Sequence, residues 1–174
     1  MPHGIYDVQL NEGYLSLGNS HETAGFVVDN LEWWWENFGR YEYPKATRIL
    51  ILCDSGGANG HRHHLFKKLL QTFARKIGKK LSICHYPPYC SKYNPIERRL
   101  FAQVHRTISE VILTDLPQVQ RLMKKTKTKT GLSVEVRIND KYYPLKQLSL
   151  AEEIDQKRLL RHPTIPNLSY TILP

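Results

Sequence analysis

The sequence predicts a mixed α/β fold, because apolar runs typical of strands alternate with stretches of helical periodicity. Residues 47–53, TRILILC, form a continuous apolar run, the pattern of a strand buried on both faces of a sheet. Residues 61–77 then place apolar side chains at helical spacing, and residues 81–86 have the pattern of another short strand. Strands and helices in this order favour a mixed sheet with helices on both faces.

A hairpin and a helix are predicted before the first buried strand. Residues 4–18, GIYDVQLNEGYLSLG, contain two short β-favouring runs separated at 11–13 by Asn-Glu-Gly, in which Asn and Gly tolerate positive φ. Residues 22–39 show helical spacing, and Gly39 is expected to end the helix. The consecutive tryptophans at 33–35 cannot all face one side, so at least one is expected to be partly exposed.

The second half of the chain predicts one long helix followed by looser structure. A helix over 94–111, capped by Asn94 and with Pro95 in its first turn, carries on one face the apolar residues Ile96, Leu100, Val104 and Ile108. Four further segments are expected after it: a helix at 115–125, a half-buried strand at 132–138, a helix at 149–160 and a proline-broken tail. No repeat or linker divides the chain, so we expect one domain over 1–174 with a less regular extension over 114–174.

Composition and charge favour a globular protein that binds a polyanion. No apolar run approaches the roughly 20 residues of a membrane helix, and there is no secretion leader. Three cysteines indicate reduced thiols. A cytoplasmic location without membrane partners is therefore expected. Lys and Arg number 25 against 16 Asp and Glu, a net charge of +9 that favours nucleic acid. The densest basic runs lie at 62–80 and 121–129, although part of either run could be a solvated helix face.

Two carboxylates occupy positions that suit a functional site. Asp54 follows the 47–53 strand, where open α/β sheets carry functional groups, and the glycines after it would let the backbone approach a ligand. Glu97 lies in the first turn of the 94–111 helix. Each residue could instead have a purely structural role: Asp54 could cap the turn that follows it, and Glu97 could compensate the helix dipole. The predicted topology brings both to one edge of the sheet, where two carboxylates could hold hard divalent cations.

The two stretches around these carboxylates resemble a known family. LCDSGGANG followed by HYPPYCSKYNPIERRLFAQV resembles the second and third acidic motifs of DDE transposases, which use an RNase H-like domain. The stretches GIYDVQLNEGYLSLG, WWWENFG and TKTKTGLSV narrow the resemblance to the ISAzo-type insertion-sequence family, from about Gly4 to the tail. The resemblance implies an RNase H-like mixed sheet flanked by helices.

The resemblance also implies the chemistry and the partners. Transposases of this kind cleave DNA and transfer strands with Mg²⁺ or Mn²⁺ held by acidic side chains. Asp54 and Glu97 would be the catalytic residues and metal ligands, with Asp54 as the bridging group, and transposon ends and target DNA would be the partners. The stiff aromatic loop before Glu97 would form one wall of the site. Association of the chain with further copies of itself is left undecided. The expected DNA contacts are Arg62, Lys92, Asn94, Lys124, Lys125 and Lys127.

One acidic motif of the family is not matched. The family carries its first acid on a strand upstream of the GIYD hairpin, at which this chain begins, and Asp7 aligns with the hairpin. We therefore expect the C-terminal portion of a catalytic domain that lacks its first strand and is inactive alone. The 4–18 hairpin and the 47–53 strand are expected to close the resulting gap by direct pairing or by association.

Two alternative interpretations stay open. A catalytically inactive DNA-binding remnant of a transposase would keep only the basic surfaces. A structural zinc site could draw on suitable ligand types, although no Cys-x-x-Cys pair is present. Its potential ligands are His61, His63, His64, Cys84, His85 and Cys90.

Overall fold

The protein consists of two compact units, each made of two separate stretches of sequence. The computed structural model describes residues 2–19, 21–60, 62–109, 111–144 and 153–174. The first unit comprises residues 1–21 and 92–142, and the second comprises 22–91 and 143–174. Each unit has its own mixed sheet, so the predicted α/β class is confirmed, whereas the single predicted sheet is replaced by two. None of the described helices is long and apolar enough to cross a membrane.

The first unit is a three-stranded sheet with two helical segments. Its strands are β1 (Pro2–Asp7), β2 (Glu12–Gly18) and β5 (Ser133–Asn139), with β2 central, antiparallel to β1 and parallel to β5. A helix spans 95–108 and contains a π-helical turn, Glu97–Phe101, followed by α4 (Ala102–Ile108). The last helix is α5 (Leu116–Lys124), capped by the Asp115 carboxylate, which accepts the Gln118 N–H at 2.7 Å. The predicted long helix, capped helix and half-buried strand are all confirmed.

Apolar side chains of this helix and of the strands form the core of the first unit. Leu100 and Val104 are buried among β2, β5 and α5 residues, and Ile96 and Ile108 pack against them, which confirms the predicted face. Gly13 permits the close approach of the helix, because a Cβ there would lie 2.2 Å from Leu100 Cδ1. Gly13 therefore serves packing inside β2 rather than the hairpin turn.

The turn between β1 and β2 depends on two other residues. Asn11 has a φ of 56°, the left-handed conformation expected of Asn in a turn. One carboxylate oxygen of Asp7 accepts the N–H groups of Gln9 and Leu10 at 2.9 and 3.1 Å. Asp7 thus closes the hairpin, a structural role that agrees with its alignment outside the catalytic strand.

The second unit is a four-stranded sheet with helices α1 and α3. Its strands are β3 (Arg48–Cys53), β4 (Lys80–His85), β6 (Leu159–Arg161) and β7 (Ser169–Ile172), in the order β3-β4-β7-β6. β3 and β4 are parallel, and β7 is antiparallel to both of its neighbours. The helices are α1 (Ala24–Trp34), extended by the π-helical Trp35–Gly39 and by α2 (Arg40–Glu42), and α3 (His64–Ile77).

The first helix of this unit runs past its predicted end. It begins at the Thr23 cap, whose hydroxyl accepts the Phe26 N–H at 3.3 Å, and it continues through Gly39. A Cβ at Gly39 would lie 2.9 Å from atoms of the Trp34 and Trp35 rings, so this glycine makes room for the two indoles. Trp34 and Trp35 are buried and Trp33 is half-buried, as the tryptophan run predicted.

The C-terminal segment contains strands where the sequence predicted a helix and an irregular tail. Of the predicted helix over 149–160, residues 149–152 lie outside the described residues. The rest contains 3-10 structure at Glu153 and over Gln156–Arg158, and then enters β6. The tail supplies β7, whose Tyr170 and Ile172 are buried. The helix prediction fails because residues 159–161 pair with β7, and such tertiary pairing overrides local periodicity.

β3 is an edge strand, not the strand buried on both faces that its apolar run predicted. Alternate residues, Arg48, Leu50 and Leu52, are exposed, whereas Cys53 is buried. Among the described residues, β3 pairs only with β4, and its outer edge has no neighbouring strand. The predicted direct pairing between the N-terminal hairpin and this strand does not occur, because the hairpin pairs with β5.

Candidate functional site

Asp54 stands at the carboxyl end of the parallel β3–β4 pair. The chain that follows β3 is tied to the chain that follows β4 on both sides of this residue. The carbonyl of Cys53 accepts the Tyr86 N–H at 2.8 Å, and the Ser55 hydroxyl donates to the Tyr86 carbonyl. Asp54 is half-buried. Its carboxylate is therefore carried by a backbone that is fixed before and after it.

A buried histidine supports the Asp54 backbone from β4. His85 Nδ1 lies 3.3 Å from the Asp54 carbonyl oxygen, and His85 Nε2 lies 3.1 Å from the Tyr170 hydroxyl. A carbonyl can only accept, so Nδ1 carries the proton and Nε2 accepts from Tyr170. Burial raises the pKa of Tyr170, which keeps its hydroxyl protonated as a donor. No sequence pattern indicates this chain of contacts, and the sequence-based interpretation offers His85 only as a potential zinc ligand.

The glycines after Asp54 shape a short loop. Gly57 has a φ of 68° and begins a 3-10 turn, Gly57–Asn59. A Cβ at Gly60 would lie 3.1 Å from the carbonyl oxygen of Ser55. These glycines therefore allow the chain to fold back beside Asp54, which gives them a conformational role whatever the loop binds.

Glu97 lies in the first unit, in the first turn of the helix over 95–108. The Asn94 side chain is buried and its Oδ1 accepts the Ile96 N–H at 3.4 Å, while the Asn94 carbonyl accepts the Glu97 N–H at 3.1 Å. Glu97 is half-buried and begins the π-helical turn. Asn94 and Pro95 thus fix the helix start that carries this carboxylate, as the sequence predicted.

The basic run at 121–129 leaves several cations exposed. Lys124 lies at the end of α5 and pairs with Glu135 at 3.2 Å. Lys125 and Lys127 follow this helix and are both exposed, whereas Thr126 between them is buried. Lys92 is also exposed, with its Nζ 5.1 Å from the centre of the Tyr93 ring. These four cations all belong to the first unit.

Several cations of the basic run at 62–80 make contacts within the second unit. Lys67 is buried with its Nζ 5.4 Å from the centre of the Tyr170 ring, and burial lowers the pKa of Lys67. Lys68 pairs with Glu153, and Lys76 pairs with Glu32 and with Glu36. Arg62 is exposed. Some cations of this run therefore have partners within the unit, a difference from the run at 121–129 that charge counting alone could not show.

The predicted site residues are distributed over both units. Asp54 and Arg62 belong to the second unit, and the remaining predicted residues, Glu97 among them, belong to the first. No group of three potential metal ligands is present in the part of the chain that the structure describes, which omits His61. Convergence of Asp54 and Glu97 on a shared ion stays a prediction.

The match to a family of known proteins decides the identity of the chain. Residues 1–174 match the family model described as the Rhodopirellula transposase DDE domain. The chain belongs to this transposase family. The resemblance to DDE-type insertion-sequence transposases is thereby confirmed, and the two mixed sheets of this transposase domain are consistent with an RNase H-like α/β fold. No curated protein and no solved structure matches the transposase domain.

Proposed function

We propose that this transposase domain supplies two acids, Asp54 and Glu97, for metal-dependent cleavage and strand transfer at the ends of an insertion sequence. The observation that carries the proposal is the position of Asp54 at the end of β3, with its backbone tied to β4 on either side. Open α/β sheets place their catalytic groups at such strand ends. The free cysteines Cys53, Cys84 and Cys90 support the further proposal that the domain acts in the cytoplasm.

The donor groups fit Mg²⁺ or Mn²⁺ better than zinc. Asp54 and Glu97 offer carboxylate oxygens, the ligands that hard divalent cations prefer. For zinc, both ring nitrogens of His85 are already engaged with the Asp54 carbonyl and Tyr170.

The proposal assigns three roles to residues of the chain: holding the ions, positioning the two acids and contacting DNA. Asp54 and Glu97 would hold the ions, which when bound activate the attacking oxygen and stabilise the leaving oxygen of the phosphodiester. His85 and Tyr170 would keep the Asp54 backbone in place, and the buried Asn94 cap would do the same for Glu97. The lysines exposed in the first unit, with Arg62 in the second, would contact DNA phosphates. A direct DNA contact by Asn94 stays a prediction.

The test is nicking of element-end DNA in the presence of Mn²⁺. We expect the chain alone to be inactive, because DDE chemistry needs a further acid. We expect a chain extended upstream by an acid-bearing strand to cleave. In the extended chain, Asp54→Ala and Glu97→Gln should each lower the rate at least about a hundredfold. Glu42→Gln, at an exposed acid on α2, should leave the rate unchanged.

A second candidate function is that of a DNA-binding remnant without activity. The exposed lysines after α5 favour it, because they need no carboxylate in order to bind phosphate. An extended chain that binds DNA and fails to cleave it with Mn²⁺ or Mg²⁺ would establish this alternative. Cleavage by the unextended chain would instead show that Asp7 or another local acid completes the site.

A further inference from the structure

The loop after β4 displays one tyrosine on a strained turn. The Cys90 N–H donates to the Pro87 carbonyl at 3.1 Å, which closes a four-residue turn with Pro88 second and Tyr89 third. Tyr89 has a φ of 65°, the left-handed conformation that turns with proline in second place normally give to Gly or Asn. A bulky residue adopts this conformation only at a cost in energy, so tyrosine at this position calls for a reason outside the turn itself.

Packing within the described part of the chain does not supply that reason. Tyr89 is 100% exposed, whereas Tyr86 in the same loop is half-buried. The Tyr89 ring therefore removes almost no apolar area from water that could offset the strain. It stands directly after two prolines, which fix the backbone before it. An aromatic ring held in water on a stiff backbone is pre-organised for a ligand, because little conformational freedom is left to lose on binding.

The turn is anchored beside the proposed catalytic acid. Tyr86, three residues before Tyr89, donates its N–H to the Cys53 carbonyl at 2.8 Å, and its own carbonyl accepts the Ser55 hydroxyl. These two contacts lie on either side of Asp54 in the chain. Three residues of chain span at most about 11 Å, so the Tyr89 backbone lies within roughly that distance of the anchored Tyr86. All of these residues belong to the second unit.

The charge of this part of the sequence suits a nucleic-acid strand. Residues 55–96 contain eight Lys and Arg and no Asp or Glu, so no carboxylate of this stretch repels a phosphate. Aromatic side chains bind unpaired bases by stacking on them, whichever base is present. Inside an intact duplex, both faces of a base are already covered by its neighbours. An exposed ring can therefore distinguish an unpaired base from a paired one.

We propose that the Tyr89 ring stacks on an unpaired base of the DNA strand, within a few nucleotides of the phosphodiester bound at Asp54. The location at the element end rests on the proposed function, to which this inference adds a contact with a base. Because stacking tolerates every base, the contact selects DNA that is unpaired at this place and not a particular sequence. Tyr89 is thus a positioning residue for the strand, and the strained turn keeps its ring extended into solvent.

The test is binding of two DNA probes by the full chain in the presence of chelator, which separates stacking from metal-dependent cleavage. One probe is a blunt duplex, and the other is the same duplex with a single-stranded flank that contains 2-aminopurine, whose fluorescence falls when it stacks. Wild type and Tyr89→Phe should quench this fluorescence. Tyr89→Gly removes the ring, so it should lose the quenching and bind the flanked probe about tenfold or more weakly. Its affinity for the blunt duplex should be unchanged.

Further measurements separate stacking from a structural role. An abasic nucleotide in place of the stacked base should weaken binding by wild type but not by Tyr89→Gly, because that variant has no ring to lose the contact. Tyr89→Gly should not lower the melting temperature, since glycine adopts the left-handed φ without strain. The matched control is Tyr41→Ala, at a tyrosine 62% exposed on α2 in the same unit, which should bind both probes as wild type does.

The possible outcomes distinguish this proposal from the catalytic one. Equal loss of affinity for both probes in Tyr89→Gly would assign Tyr89 to a duplex contact and overturn the stacking. Unchanged affinity and quenching in this variant would also overturn it, whether or not the extended chain cleaves DNA. Quenching that depends on Tyr89, together with an extended chain that fails to cleave with Mn²⁺, would support the base contact and contradict the catalytic function.

Discussion

At the scale of single residues, Gly13 shows how one hydrogen atom in place of a methyl group determines packing. The Gly13→Ala Cβ would lie 2.2 Å from Leu100 Cδ1 and 3.0 Å from Leu100 Cδ2, with the leucine fully buried. We expect Gly13→Ala to lower the free energy of unfolding by about 1–3 kcal/mol, the range for overpacked cores. Urea denaturation monitored by circular dichroism measures this change.

Gly56→Ala is the matched control for that experiment. A Cβ at Gly56 would meet no atom within 4 Å, and its φ of −103° suits alanine. Gly56→Ala should therefore leave the unfolding free energy unchanged or slightly higher. Equal destabilisation by the two substitutions would show that the contact with Leu100 is not what requires glycine.

His3 gives the stability of the first unit a dependence on pH. Burial, assisted by the charge of Arg137, lowers the pKa of His3 from 6.5 to about 4. Between these values the unfolded chain binds a proton that folded His3 does not, so the stabilisation is complete above about pH 6.5 and is lost as pH falls toward 4. We expect wild type to lose about 1–3 kcal/mol more than His3→Gln over this interval.

Exposed histidines serve as the control for the pH effect. His105 lies on α4 in the same unit and is exposed, so His105→Gln should keep the wild-type slope of unfolding free energy against pH. A slope that is the same in wild type and in His3→Gln would mean that His3 is protonated equally in the folded and unfolded chains.

At the scale of elements, the segment that follows α5 is expected to contribute directly to DNA binding. Lys125 and Lys127 are exposed there, whereas Lys76 on α3 is held by two carboxylates. The double variant Lys125→Gln, Lys127→Gln should bind duplex DNA more weakly, and its slope of log affinity against log salt should be shallower by up to about 2. Lys76→Gln should keep the wild-type slope of log affinity against log salt. If the DNA affinity of wild type did not change with salt, the excess positive charge would serve solubility instead of DNA binding.

The elements also show how far sequence patterns determine this fold. The helix over 95–108 and the strand β5 follow from local periodicity and capping, which act within a few residues of chain. The apolar run of β3 predicts a doubly buried strand, and this prediction is wrong because composition does not show how many strands lie beside it. β7 was missed since its pairing with β4 joins residues such as Cys84 and Ser169, which are 85 positions apart.

Of the candidate site, the sequence predicts the two acids but not the contacts that hold them in place. Asp54 and Glu97 were found from their positions at a strand end and a helix start, and from the motifs around them. The chain of contacts from the Asp54 carbonyl through His85 to Tyr170 could not be found in this way, because it includes a side chain from a strand that is distant in sequence. Burial of Lys67 against Tyr170 depends on the same distant strand.

At the scale of the whole molecule, binding of a divalent ion should stabilise the fold if the two acids share that ion. A ligand that binds only the folded state at a hundred times its dissociation constant adds about 2.7 kcal/mol. We therefore expect saturating Mn²⁺ to raise the melting temperature of wild type by several degrees, and to raise that of Asp54→Asn much less. Equal shifts in the two proteins would place the ion elsewhere, and Glu42→Gln should respond as wild type does.

The late position of β7 has a consequence for the order in which the chain can fold as it leaves the ribosome. β4 is made long before β7, yet β7 is its antiparallel neighbour and also the link to β6. Until residues 169–172 emerge, β4 has one of its two partners, and the contacts of His85 and Lys67 with Tyr170 cannot form. The second unit therefore completes its sheet only after residues 169–172 have been synthesised, and its nascent strands must avoid incorrect partners until then.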